Sequence, residues 1–136
     1  MKIDIDALGL SRPGGGRSAT LNLLEPLFTL DQQNEYLVFL DAEEPTLLAP
    51  NVRQLLAPTS HRMLSRVWAQ AVWPVMLRRE RADLIHHVKN LVTMGSPCPA
   101  LVTVHDLTIL EHPEIYPVVD VLYWRTIEKL HLKHSS

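Results

Sequence analysis

The chain has one cysteine, Cys98, among its 136 residues. No internal disulfide can form, and a lone thiol fits a reducing compartment. A surplus of one charge is also missing: 13 lysines and arginines face 15 aspartates and glutamates, a formal net charge of -2. General nucleic-acid binding needs a strong basic surplus, so no nucleic-acid partner is expected. No apolar run approaches the roughly 20 residues of a membrane span, and the N-terminus has no signal-peptide pattern. A soluble, cytoplasmic protein is expected. Repeats and low-complexity segments are absent. Hydrophobic residues make up 46% of the chain, enough for one real core in a single domain over residues 1–136.

Glycine is scarce, five residues in all, yet three of them are consecutive. Gly14, Gly15 and Gly16 stand in "SRPGGGR", between a strand-like "MKIDIDALGL" and a helix-like "SATLNLLEPLFTL". Each glycine loses more freedom on folding than any other residue, about 0.5–1 kcal/mol relative to alanine within regular structure. Either the turn needs positive φ angles, or something must come close to the backbone.

Lys2–Leu8 alternates isoleucine with aspartate, which predicts a strand with Asp4 and Asp6 on one face. Ser18 or Thr20 is the expected cap of a helix reaching Leu30, with Pro26 kinking it. "EYLVFLD" (Glu35–Asp41) reads as a strand, and "NVRQLLAP" (Asn51–Pro58) as another. The link between these two is too short for a crossover helix, which takes about a dozen residues, so an irregular or antiparallel edge strand is expected. From Ser60 the apolar spacing turns helical, broken or kinked at Pro74, with Arg78, Arg79 and Arg81 crowding the last turn. "ADLIHH" and "PALVTVHD" predict short strands buried on both faces, and a last helix is expected from about Val118 to Leu132.

These elements predict an α/β class with a mostly parallel sheet and flanking helices. Ligands of such sheets bind beyond the carboxyl ends of the strands. That rule gathers the glycine turn, the segment His86–Asn90 and the pair His105-Asp106 along one edge.

The glycine run fits neither the dinucleotide fingerprint nor a P-loop, because no third spaced glycine and no Gly-Lys-Ser/Thr follow. Two readings stay open: a plain αL turn, or a helix N-terminus offering free N–H groups to a phosphate or another anion. His105 can donate to a sugar hydroxyl or act as an acid or base near neutrality, or it can merely cap its strand. His86, His87, His105 and His112 lack the helical spacing of metal ligands, and no metal is expected. The arginines at 62, 66, 78, 79 and 81 are read as a solvated helix face, with peripheral contact to anionic lipid as the alternative. Cys98, between two prolines with no base nearby, is read as structural. No Ser/His/Asp set and no catalytic pair of carboxylates stands out.

In this order, "IDALGLSRPGGGR", "TLNLLEPL", "NEYLVFLD", "NVRQLLAP", "ADLIHHVKN" and "ALVTVHDLTILEHPEIYP" resemble the N-terminal half of a family 4 (group 1) glycosyltransferase of GT-B fold. The mannosyltransferase-like branch is the most similar. The resemblance implies retaining transfer of a sugar from a nucleotide-sugar to a saccharide or lipid-linked acceptor, between two Rossmann-like domains and with no other cofactor. It implies that this half mainly holds the acceptor, that Gly14, Gly15 and Gly16 approach the donor diphosphate, and that His105 contacts the donor sugar. Arg17, Lys89, Asn90 and Asp106 are the further substrate-binding candidates beside these motifs. Val88 departs from the proline usual in that segment, and Pro26 is unusual in the first helix. The C-terminal donor domain with its Glu-x7-Glu pair is missing from the sequence, so this chain alone is expected to be inactive. A non-catalytic binding or interaction domain derived from the same fold is the alternative, and an unrelated nucleotide-binding α/β domain is disfavoured by the absent fingerprint.

Overall fold

The computed structural model describes residues 1–58, 62–89, 94–105, 107–123 and 125. Among the described residues five strands form one sheet: β1 (Lys2–Asp6), β2 (Glu35–Leu40), β3 (Val52–Leu56), β4 (Leu84–His87) and β5 (Ala100–Val102). Their spatial order is β3-β2-β1-β4-β5, and every pairing is parallel. The expected α/β class with a parallel, Rossmann-like sheet is the observed one.

Helix α1 (Gly15–Leu30) and helix α2 (Arg62–Glu80) supply the two apolar layers. The period-2 pattern of the strands decides which residue meets which layer. Ile5, Val38 and Leu40 pack with Leu24 and Phe28 of α1, while Leu37, Phe39 and Ile85 pack with Ala69, Trp73 and Leu77 of α2. Asp4 and Asp6 share one face as predicted, and both are buried.

Helix α1 starts earlier than the cap signals suggest. Gly14 is its N-cap and makes no side-chain cap; its carbonyl accepts from the amides of Arg17 (3.0 Å) and Ser18 (3.2 Å). Thr20, expected as a cap, lies inside the helix and bonds the Gly16 carbonyl at 2.8 Å. The helix continues past exposed Pro26, which only removes the bond to a carbonyl one turn back, on the solvent side. Helix α2 likewise runs on through Pro74 rather than breaking there. It ends in a Schellman turn, with Ala82 N bonding Leu77 O at 3.0 Å and Arg81 N bonding Arg78 O at 3.3 Å. Arg81 takes the left-handed conformation, φ +56°, that glycine usually supplies there.

Strand β3 is a regular parallel edge strand, not the irregular or antiparallel one expected. The link before it works because a 3-10 turn, Pro45–Leu47, buries Leu47 against the α1 layer. Gln54 clamps that turn, accepting from Glu44 N at 3.1 Å and donating to Glu44 O at 2.8 Å. Strand β5 also differs from expectation. It is the outermost strand among the described residues, with Leu101 half exposed, so it is not buried on both faces. Short helices α3 (Thr108–Glu111) and α4 (Val118–Tyr123) follow; the predicted continuation to Leu132 lies outside the described residues.

Candidate functional site at the carboxyl edge of the sheet

Strand order reverses between β1 and β4. The chain builds β1, β2 and β3 outward in one direction, then returns through α2 to the other side of β1. In open parallel sheets a crevice opens at that switch point, beyond the carboxyl ends. Here the ends are held level by Ala7 N on Phe39 O (3.0 Å), Val88 N on Asp6 O (3.3 Å) and Thr103 N on His87 O (2.8 Å).

The turn after β1 is built on Gly9, whose φ of +81° suits glycine. Asp41, at the end of β2, fastens this turn: one oxygen accepts from Ser11 N at 3.3 Å and the other from the Ser11 hydroxyl. Burial works against the Asp41 charge, but bonds from Ser11, its own amide and the Gly9 amide hold its carboxyl below the usual range. The sequence pattern does not single out Asp41, although a carboxylate directly after the apolar run Tyr36–Leu40 of a parallel strand falls at the carboxyl edge.

The predicted glycines divide by geometry. Gly14 has φ +148° and ψ 172°, a region open essentially to glycine alone. Gly15 and Gly16 are helical, and a Cβ at either would meet nothing within 4 Å. The fold therefore requires one glycine of the three. Next to them, Arg17 Nη2 lies 2.5 Å from Glu44 Oε2, an ion pair that anchors the first turn of α1 to the buried carboxylate before the 3-10 turn.

Beyond β4, His87 is fully buried and its Nδ1 lies 3.1 Å from Asp6 Oδ2. The Trp73 ring is 5.5 Å away on the same side. His86 points to the other face and meets Thr103 Oγ1 at 2.8 Å. Burial first, then the neighbouring His87, pushes the His86 pKa down, against a smaller opposing pull from Asp6. Lys89 returns to the turn after β1 and lies against Gly9.

His105, three residues past β5, is exposed, and its Nε2 lies 2.8 Å from the Val88 carbonyl. A carbonyl only accepts, so Nε2 carries the hydrogen and donates this bond, and Nδ1 is the ring nitrogen that it leaves open. The loops after β1, β4 and β5 are thus joined through Gly9, Lys89, Val88 and His105. Asn90 and Asp106 lie outside the described residues. Among the described residues no three His, Cys, Asp or Glu side chains gather as a metal site, and no helix is long and apolar enough to cross a membrane. Burial raises the thiol pKa of half-buried Cys98.

Fold and strand order define a Rossmann-like α/β sheet, and its β1/β4 switch point is the edge at which ligands of such sheets bind. No protein-family model matches the chain, and no curated protein does. Among solved structures, the chain is similar to the apo form of the lipopolysaccharide outer core galactosyltransferase WaaB, at 14% identity and a TM-score of 0.49. The match covers 77% of this chain and 33% of that one.

Proposed function

We propose that this chain is the acceptor-side half of a retaining glycosyltransferase of GT-B fold. It serves transfer of a hexose, with mannose as the first candidate, from a nucleotide-sugar to a saccharide or lipid-linked acceptor. The observation that carries the reading is the glycine turn. Gly15 and Gly16 open on empty space where the fold itself would accept a side chain. They lie at a helix N-terminus on the edge where ligands of parallel sheets bind, and bare amides there suit a diphosphate.

In this reading the acceptor hydroxyl oxygen attacks the anomeric carbon as the bond to the donor diphosphate breaks. The departing diphosphate oxygen takes the hydroxyl proton, on the face it leaves, so configuration is retained. His105 steadies the donor sugar through Nδ1, the ring nitrogen that the Val88 carbonyl leaves open. Arg17 acts indirectly, by fixing the glycine turn to Glu44. Lys89, Asn90 and Asp106 complete the substrate contacts.

Amide NMR of the chain titrated with nucleotide-sugars tests this. Saturable shifts at Gly14, Gly15 and Gly16 are expected, and a silent turn under every nucleotide-sugar would overturn the reading.

A further inference from the structure

The ammonium of Lys89 stands where a side chain on Gly9 would be: a Cβ there would lie 3.3 Å from its Nζ. The left-handed turn at Gly9 keeps that spot bare. Lys89 feels the charges of Asp6 and Asp41, but both carboxylates are engaged elsewhere. Asp6 accepts from Leu8 N (3.1 Å) and from His87 (3.1 Å), and Asp41 accepts from both donors of Ser11 and from the Gly9 amide. Among the described residues Lys89 makes no hydrogen bond or ion pair of its own. Its three donors point from a half-buried position at the switch point. Burial lowers its pKa below that of an ordinary lysine, with Asp6 and Asp41 working to retain the charge and Arg12 working against it. A cation stripped of part of its water costs free energy until an acceptor, best an anion, completes it.

We propose that Lys89 is the cation that binds a phosphate oxyanion in the crevice beyond β1 and β4, with Gly9 as the gap that seats it. The proposal deepens the function above and rests on it only for the edge at which the ligand lies. Two ligands carry the required chemistry: the diphosphate of a nucleotide-sugar and the phosphate of a lipid-linked acceptor.

Calorimetric titration of the chain with inorganic pyrophosphate tests it, beside Lys89→Met and Lys89→Arg. Saturable binding is expected, weaker by about ten- to a hundredfold in Lys89→Met, as loss of a charged hydrogen bond implies. Lys89→Arg keeps the charge and hydrogen-bond donors on a larger head, so it should retain more of the affinity than Lys89→Met. Should Lys89→Met fold poorly, the ε-methylene NMR signals of Lys89 in the unsubstituted chain must still move on adding pyrophosphate. Competition with uridine diphosphate and with farnesyl phosphate then assigns the source, and displacement by either supports the proposal. Equal pyrophosphate affinity in a folded Lys89→Met, no binding by the parent, or displacement by neither competitor overturns it. Pyrophosphate carries no sugar, so Lys89-dependent binding stands even if transfer fails. Transfer indifferent to Lys89 would sink only the lysine assignment.

Discussion

His87 and Asp6 face each other across the β1–β4 pairing, 3.1 Å apart and both buried, at the last register position of the two strands. Asp6 also accepts from Leu8 N, so one carboxylate holds the next strand and the start of the following turn. It is the internal brace of the site.

Asp6→Ala removes the acceptor of both donors at once. A loss of about 2–4 kcal/mol in urea unfolding is expected, because orphaned buried donors cost about 1–3 kcal/mol each. A double-mutant cycle with His87→Ala should give a coupling of about 1–3 kcal/mol. A stability for Asp6→Ala within about 0.5 kcal/mol of the parent, the range of a neutral surface change, would contradict this role.

Asp4 makes a prediction about pH. Its carboxyl is buried, and Oδ2 has no hydrogen-bond partner among the described residues. Burial, then the nearby Glu80 charge, raises its pKa from 3.8 to about 7, against Arg53 and Lys2. Arg53 is itself paired with Glu80 at 2.6 Å. The folded state therefore binds the proton more tightly than the unfolded chain. That contribution to stability is full below about pH 4 and is lost as pH rises through about 7. Asp4→Asn should flatten the slope and raise the melting temperature at pH 8 by about 3–6 °C, the equivalent of about 1–2 kcal/mol. Parallel pH profiles for parent and variant would refute the assignment.

Much of this was legible in the sequence, and the misses have physical causes. The alternation in Lys2–Asp6 and the apolar runs Glu35–Leu40 and Leu84–His87 reported a parallel sheet correctly. Of the break or kink expected at Pro74, the break does not occur, because a helix fixed by packing on a sheet carries one missing bond without ending. The link before β3 misled by its length alone; buried Leu47 and the Gln54 clamp do the work of a crossover helix. In the site, the edge position of the glycine turn and of Lys89 could be read from topology. The pairing of Arg17 with Glu44, 27 residues away, and the seat of Lys89 on Gly9 could not, since neither leaves a local pattern.

For His105 the question is whether its bond to Val88 serves the fold or aims the ring. In the complete two-domain enzyme, His105→Ala is expected to lower kcat at least about tenfold, as removal of a group facing developing charge does. The melting temperature should stay close to the parent's, because the side chain is exposed. An unchanged kcat, or a loss that follows the fraction unfolded, would leave the histidine a tie between two loops.

The most direct measurement is made on Gly15→Ala, in one sample and by two readouts. The central claim is that Gly15 is kept bare for a ligand and not for the fold. The position is helical, with open space around a Cβ, so alanine should leave stability unchanged or raise it by about 0.5–1 kcal/mol. Nucleotide-sugar affinity should nonetheless fall at least about tenfold, or about 1.4 kcal/mol, as the methyl occupies the path of the diphosphate. A variant that binds the nucleotide-sugar as tightly as the parent would contradict the account.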